Sequence, residues 1–200
     1  IFKTVEPIFF DLFTEFGKNK KVNKFPFKRI SFEDSMSKYG TDKPDLRNPL
    51  EITDHTKLFK SDEVKLDIFK RNIDSGGVVK GIVVKNISDK PRSFFDNLNK
   101  WAIDSGAKGL AYITFEKDKN KITGKGPIAK FFSQNALNSL IKETNVSPND
   151  CIFFISDKHN EAIKFAGLVR TKIGTDLKLI DEDQFSFCWI VDFPMYQYDE

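Results

Sequence analysis

The sequence predicts an α+β fold with a mixed, largely antiparallel sheet and helices packed on it. Segments with the two-residue period of a strand alternate with segments that have the period of a helix, and there is no internal repeat. The run at residues 151–155 is wholly apolar, which is typical of a central strand buried on both faces. A chain of 200 residues can form one or two such domains and bury a sizeable core.

The chain is predicted to begin with an amphipathic helix. Pro7 lies near its start, Gly17 can end it, and its apolar stripe comprises Ile8, Phe9, Leu12, Phe13 and Phe16. A lysine-rich linker follows at residues 18–24, either as a solvated connection or as a contact to RNA phosphate.

A second, short helix is predicted between two end signals. Residues 25–30 form an extended stretch that leads into it. Ser31-Phe-Glu-Asp34 is a capping sequence at its start, and Gly40 in the left-handed conformation ends it.

The middle of the chain is predicted to open with an antiparallel strand pair. Val64, Leu66 and Ile68 alternate with charged residues, which indicates a half-buried strand. A turn at residues 75–77 leads to a second strand at residues 78–85, and the short connection favours antiparallel pairing.

Helices and strands then alternate. Ser93 with Asp96 indicates the start of a helix that Gly106 closes. A strand at residues 110–115 leads into a polar, hairpin-like loop at residues 116–126. The later helices are predicted around Ala136, Leu137, Leu140 and Ile141, and from Ser156 or Asp157 through Arg170 to a stop at Gly174.

Composition indicates an ordinary globular domain. A net charge of +3 is too small to imply nucleic-acid binding by itself. The chain has no apolar run of about 20 residues and no signal-peptide pattern at its start, so we expect no membrane span and a cytoplasmic location. Cys151 and Cys188 lie in apolar runs and are predicted to be free thiols.

Residue spacing predicts no metal or nucleophilic site. His55 and His159 lie far apart, without further ligands at metal-binding spacing, and are predicted to be surface or capping residues. No serine, cysteine or lysine is paired with a recognisable base, so no catalytic residue is assigned.

The most distinctive segment is the charged loop Gly40-Thr-Asp-Lys-Pro-Asp-Leu-Arg47. Pro44 and Pro49 fix two φ angles, so the loop should be stiff and its charges held in set directions. The candidate binding or domain-junction residues are therefore Asp42, Lys43, Asp45 and Arg47.

This octet closely resembles the Gly-Ser-Asp-Lys-Pro-Asp-Leu-Arg signature of bacterial-type aspartyl-tRNA synthetases, which are class II enzymes. The stretches Ala107-Lys-Gly-Leu-Ala-Tyr-Ile113 and Trp189-Ile-Val-Asp-Phe-Pro-Met195 match the same family in the same order. The likeness runs along nearly the whole chain.

The resemblance implies a division of the chain into three parts. Residues 1–56 would be a flank of the catalytic domain, residues 57–185 the inserted α+β domain, and residues 186–200 a strand that returns to the catalytic domain. The two ends of the insert should then lie close together. The family's ATP-binding arginine motifs and its His-His-Pro-Phe loop are not found in these residues.

The resemblance implies an aspartate-tRNA ligase as the parent, using ATP and Mg²⁺ and acting on tRNA as a homodimer. The fragment itself should be inactive and need no cofactor, acting as a scaffold or as a module on the tRNA side. The alternative is a non-enzymatic RNA- or protein-interaction domain of the tRNA-dependent amidotransferase subunit that shares the insert. A third role is structural bracing of the dimer.

The resemblance also leaves two roles for the loop. Arg47 could pair with a carboxylate and hold the insert in register with the catalytic domain. Alternatively, Lys43 or Arg47 contacts phosphate of ATP or of the tRNA acceptor arm.

Overall fold

Helices and strands alternate along the chain in a computed structural model that describes residues 1–119 and 121–196. The helices within these residues are α1 (Phe2–Phe16), α2 (Phe32–Tyr39), α3 (Thr56–Lys60), α4 (Asp67–Asp74), α5 (Arg92–Asp104), α6 (Gln134–Thr144) and α7 (His159–Asp176). The strands are β1 (Lys21–Val22), β2 (Lys28–Ser31), β3 (Ile52–Asp54), β4 (Gly77–Val84), β5 (Ala111–Asp118), β6 (Lys121–Lys125), β7 (Cys151–Lys158), β8 (Gln184–Phe185) and β9 (Cys188–Val191).

Five of these strands form the main sheet, in the order β3-β4-β7-β5-β6. Every neighbouring pair is antiparallel; Phe153 of β7, for example, lies opposite both Ile82 of β4 and Tyr112 of β5. Two further two-stranded sheets, β1 with β8 and β2 with β9, are parallel. The predicted α+β class with a largely antiparallel sheet is confirmed.

The sheet separates two hydrophobic cores. Helices α5 and α7 cover one face, and α3, α4 and α6 cover the other. Side chains alternate between the faces of a strand, so Cys151, Phe153 and Ile155 enter the first core while Ile152 and Phe154 enter the second. Each of the five is at most 2% exposed, because β7 is the central strand. This burial explains the wholly apolar run.

Several local predictions are confirmed. Ser31 Oγ accepts a hydrogen bond from the Asp34 amide at 3.0 Å, and Gly40 ends α2 at φ 73°. Helices α5 and α6 form where they were predicted, although α5 begins at Arg92 after Pro91 and Ser93 does not cap it. The polar loop at residues 116–126 contains the β5–β6 hairpin. Cys151 and Cys188 are both free thiols.

The predicted strand at Val64, Leu66 and Ile68 is wrong. Val64 makes only an isolated bridge with Phe132, and α4 begins at Asp67. Leu66 and Ile73 are buried whereas Ile68 is 64% exposed, so burial follows the period of a helix. Five alternating residues were too few to distinguish the hydrophobic period of a strand from that of a helix.

The predicted hairpin at residues 75–77 is therefore also wrong. Ser75 caps the C-terminus of α4, Gly76 follows at φ 87°, and Gly77 already begins β4. The neighbours of β4 are β3 and β7, so its pairing partners are distant in sequence.

Both predicted ends of the last helix are also wrong. Ser156 and Asp157 belong to β7, and α7 begins only at His159. Gly174 lies inside α7, where its missing side chain leaves room for Asn48. A glycine that permits close packing thus resembled a helix stop.

The residues outside the main sheet form a second packing region. Phe13 of α1 stacks edge-on against Phe185 and Phe187 near the end of the chain. The rest of the predicted apolar stripe is less buried: Ile8, Leu12 and Phe16 are between 49% and 69% exposed. Within the described residues, no helix is long and apolar enough to span a membrane.

The predicted domain boundaries remain predictions. Strand β3, just before the boundary at residue 56, pairs with β4 of the main sheet. Strand β9 lies within the predicted return at residues 186–200, whereas β8 lies just before it. The part of that prediction that concerns residues 197–200 lies outside the described residues.

Candidate functional site

The four predicted site residues lie on the loop between α2 and β3 and form two separate ion pairs. Lys43 Nζ lies 2.9 Å from Asp42 Oδ2, and the Lys43 side chain is 84% exposed. Such a solvated pair contributes little to stability, and it leaves the ammonium group in water.

The second pair has the bidentate geometry expected of Arg47, but its partner lies in the same loop. Arg47 Nε and Nη2 donate to Asp45 Oδ1 and Oδ2 at 2.9 and 2.8 Å, and the Arg47 amide donates to Asp45 Oδ1. The hydrogen bonds from Arg47 lower the pKa of the Asp45 carboxyl, against the opposing effect of its burial. The pair stiffens the loop, because the carboxylate that Arg47 binds belongs to the loop itself.

The residue that ties this loop to the rest of the molecule is Arg170 of α7, which the sequence analysis did not select. Its guanidinium donates to the main-chain carbonyls of Leu50, Asp45 and Asn48, the last two at 2.9 and 2.8 Å. It also lies over the Tyr39 ring, 5.0 Å from the centroid. Arg170 is 2% exposed, and this burial lowers its pKa.

Buried arginine needs such partners, because each unsatisfied donor in a dry environment is costly. The carbonyls supply acceptors without supplying a compensating full charge, and the Tyr39 ring adds a cation–π contact. We call this arrangement of Arg170, Tyr39 and the carbonyls of Asp45, Asn48 and Leu50 the arginine clamp.

The sequence did carry a signal for Arg170. It lies on the same face of α7 as the buried residues Ala166, Val169 and Ile173, which follow the three- and four-residue spacing of a core-facing stripe. An arginine on an apolar stripe requires buried acceptors. The sequence therefore indicates a buried role for Arg170, but it does not indicate which acceptors the side chain meets.

Three glycines and an asparagine let the loop approach α7 closely. A Cβ at Gly40 would lie 2.5 Å from the Cα of Gly167, and one at Gly174 would lie 2.3 Å from Asn48 Nδ2. Asn48 Nδ2 donates to the Arg170 carbonyl at 3.0 Å, and its Oδ1 accepts from the Leu50 amide. Gly167 and Gly174 are seven residues apart, so they lie on the same side of the helix.

The two ends of the main-sheet region meet at this place. The Asp181 amide donates to the Arg47 carbonyl at 3.3 Å, so the chain after α7 returns beside the loop. Further out, β2 pairs in parallel with β9, and Trp189 Nε1 donates to the buried carboxylate of Glu6 at 2.8 Å. The chain therefore enters and leaves the main-sheet region at neighbouring places, and the boundaries at residues 57 and 185 remain predictions.

The two histidines differ in their surroundings. His159 is exposed at the start of α7, as predicted. His55 is only 4% exposed, so a surface position is wrong for it, but it occupies the predicted capping position as the N-cap residue of α3, without a side-chain capping bond. His55 Nε2 lies 2.8 Å from Thr53 Oγ1, and its buried Nδ1 meets no partner among the described residues. Burial lowers the pKa of His55 to about 4.

The described residues contain no group of three or more His, Cys, Asp or Glu side chains placed to hold a metal ion. Burial raises the pKa of the Cys151 thiol well above its ordinary value, which suppresses the nucleophilic thiolate. The geometry at the octet loop therefore supports docking of this loop on α7.

Comparison with known proteins agrees with this geometry. The family model of the GAD domain matches residues 69–166. A relative named "Aspartate--tRNA(Asp/Asn) ligase" from Pelagibacter ubique is 50% identical over the whole chain, which covers 33% of that relative. Proteins of the same name from Wolbachia pipientis subsp. Culex pipiens and Rickettsia canadensis are 50% and 47% identical, also over the whole chain and over 32% of their own lengths.

Among solved structures, a hypothetical protein from Pyrococcus horikoshii covers 57% of this chain and 68% of its own at 19% identity. Its TM-score of 0.33 is too low to support an argument. The chain spans about a third of the length of the curated relatives that it matches. It belongs to the aspartyl-tRNA synthetase family, as a segment that contains the inserted GAD domain.

Proposed function

We propose that the protein containing this segment is a cytoplasmic, homodimeric enzyme that activates aspartate with ATP and Mg²⁺ and transfers it to the 3′ end of tRNA. The observation that carries the proposal is the identity of about 50% over the whole chain, flanks included. The relatives are named for both tRNA(Asp) and tRNA(Asn), and we propose both as substrates.

Within that enzyme, the segment acts as a non-catalytic insert and the remainder of the protein binds ATP and Mg²⁺. The octet loop does not fit a metal site, because the neighbouring cations Lys43 and Arg47 oppose a metal ion beside the carboxylates of Asp42 and Asp45. The described residues also lack a metal-binding cluster.

The arginine clamp supports a positioning role for the insert. It connects the loop of the signature octet to α7 through buried main-chain acceptors, which hold two segments 120 residues apart in a single relative orientation. A rigid junction of this kind places the inserted body at a set position relative to the flanks. Identity that extends over the flanks supports the ligase over the amidotransferase subunit as the parent.

Aminoacylation by the full-length protein tests this proposal. Purified protein should form Asp-tRNA with tRNA(Asp) and with tRNA(Asn) in the presence of ATP and Mg²⁺. The 200-residue chain, assayed as the control, should neither form Asp-tRNA nor exchange pyrophosphate into ATP. Full-length protein that charges neither tRNA with aspartate would refute the activity.

A further inference from the structure

A cleft of about 890 Å³ opens between α4 and α5, beside the first residues of β5. Its volume lies in the range of small-molecule pockets, about 300–1,000 Å³. Its charged and aromatic side chains are three cations, one carboxylate and three aromatic residues: Arg71, Arg92, Lys108, Asp96, Phe69, Phe95 and Tyr112.

The cleft exists because the sheet is incomplete at this end. Strand β7 pairs with β4 as far as Lys158, but β5 begins only opposite Phe154, so the last residues of β7 have no β5 partner. Gly109, at φ 144°, precedes β5, and the Leu110 amide donates to Asn99 Oδ1 of α5. The backbone thus turns toward α5 and leaves a notch beside β7.

The cations at the rim are available to a ligand. Among the described residues, the Arg71 guanidinium has no ion-pair partner. Arg92 lies 3.5 Å from Asp96 with side chains 89% and 62% exposed, and Lys108 lies 3.3 Å from Asp157 with a 70% exposed side chain. Solvated pairs of this kind are weak enough to exchange for a phosphate.

The walls of the cleft offer aromatic surface. The rings of Tyr112 and Phe95 stack with centroids 4.5 Å apart and an interplanar angle of 20°. Tyr112 and Phe69 are only partly buried, so ring surface contributes to the lining. Cations combined with partly exposed aromatic rings are the chemistry that binds unpaired nucleotides, since bases stack on the rings and phosphates meet the cations.

We propose that this cleft binds an unpaired nucleotide of an RNA strand, with its base against the Tyr112 and Phe69 side chains and its phosphates beside Arg71, Arg92 and Lys108. The proposal rests on the proposed function, in which tRNA is the substrate and therefore the source of the RNA strand. The cleft does not overlap the arginine clamp, because no residue of the clamp lines it. Binding can therefore proceed with the junction intact.

Fluorescence anisotropy with a labelled single-stranded RNA tetranucleotide tests the cleft directly in the 200-residue chain. The double variant Arg71→Ala/Arg92→Ala should bind at least about tenfold more weakly at low salt. It should also lower the slope of log K against log salt by about 1.4, the value for two lost contacts to a single strand. The control Lys100→Ala/Lys142→Ala removes the same charge from exposed positions outside the cleft and should change affinity less than about twofold.

The stacking contact has its own pair of variants. Tyr112→Leu should weaken binding about fivefold or more, whereas Tyr112→Phe, which keeps the ring, should bind as the parent does. Equal melting temperatures of the variants and the parent chain would exclude unfolding as the cause of weaker RNA binding. Competition by AMP, and none by inorganic phosphate, is expected.

Any of four outcomes would overturn the proposal. The first three are no RNA binding at low salt, equal weakening by the control variant, and competition by inorganic phosphate as strong as that by AMP. The fourth is binding of AMP without binding of the tetranucleotide, since the proposed source is an RNA strand. Aminoacylation by the full-length protein reports on the proposed function separately. In that assay the cleft variants should raise the KM for tRNA and leave ATP–pyrophosphate exchange unchanged.

Discussion

Arg170 donates from its buried guanidinium to the carbonyl of Leu50, a residue 120 positions earlier in the chain. The same side chain reaches the carbonyls of Asp45 and Asn48, so one residue of α7 satisfies three acceptors of the octet loop and its continuation. This relationship makes the loop and the helix a single structural unit, and most of our predictions concern it.

Replacement of Arg170 should strongly destabilise the protein. Arg170→Met leaves the buried carbonyls of Leu50 and Asn48 without this donor. Each unsatisfied group costs about 1–3 kcal/mol, so we expect a loss of at least about 2 kcal/mol in the free energy of unfolding. Urea denaturation of the variant and the parent chain measures this loss in the free energy of unfolding. Lys164→Ala, an exposed cation on the same helix, should cost less than about 0.5 kcal/mol. Similar losses for the two variants would contradict the clamp.

Gly40 should tolerate a side chain far less well than Gly76, although both have a positive φ. At Gly76 (φ 87°) an added Cβ meets nothing within 4 Å, so Gly76→Ala should cost only the conformational strain of about 1–2 kcal/mol. Gly40→Ala adds a clash with the backbone of Gly167, and we expect it to exceed the Gly76 value by about 2 kcal/mol. Thermal melts of both variants give the two shifts in melting temperature. Equal shifts would show that the close approach of Gly40 to Gly167 is unimportant for stability.

Protein stability should fall as the pH is lowered from about 6.5 toward 4. The pKa of His55 is about 4 in the folded protein, against 6.5 for an unburied histidine, so the unfolded chain binds a proton in this interval that the folded chain does not. The stability from this group is complete above pH 6.5 and decreases by up to about 3 kcal/mol by pH 4. Urea midpoints across this range measure the change.

The pH effect can be assigned with two variants. His55→Gln removes the buried imidazole and should flatten the slope between pH 6.5 and 4. His159→Gln removes the exposed histidine and should leave the slope as it is. A slope that survives His55→Gln would assign the effect to carboxyl groups.

Arg47→Ala in the full-length protein distinguishes the two roles left open for the octet. Its partner Asp45 lies in the same loop and both side chains are about one third exposed, so we expect a stability loss of no more than about 1 kcal/mol. The KM values for ATP and tRNA should stay within about twofold if the role is structural. Unchanged stability with a raised KM would show a substrate contact instead, and Lys43→Ala, at an 84% exposed side chain, is the matched test of the neighbouring cation.

Local sequence signals predicted the elements whose boundaries depend on neighbouring residues. The Ser31 cap and the left-handed Gly40 bound α2 as expected, because both bonds close within four residues. The alternation at Val64, Leu66 and Ile68 failed because a helix beginning at Asp67 buries Leu66 and Ile73 on one face. Over such short stretches, hydrophobic periodicity does not distinguish a strand from the start of a helix.

The candidate site was only partly predictable for the same reason. The stiff loop and the bidentate geometry of Arg47 followed from residue types, but its partner and the dominant role of Arg170 did not. Gly167 and Gly174 had no local signature of docking, because the atoms they make room for belong to Gly40 and Asn48.

By itself, the sequence determined the α+β class, the burial of the run at residues 151–155 and the likeness to aspartyl-tRNA synthetases. Only the tertiary structure decided that Arg170 holds the loop, that β3 completes the sheet beside β4, and that the late start of β5 leaves a cleft. Burial patterns and helix caps depend on residues only a few positions apart, so they can be recognised in the sequence. The hydrogen bond from Arg170 to the Leu50 carbonyl joins residues 120 positions apart, and it depends on how the whole chain packs.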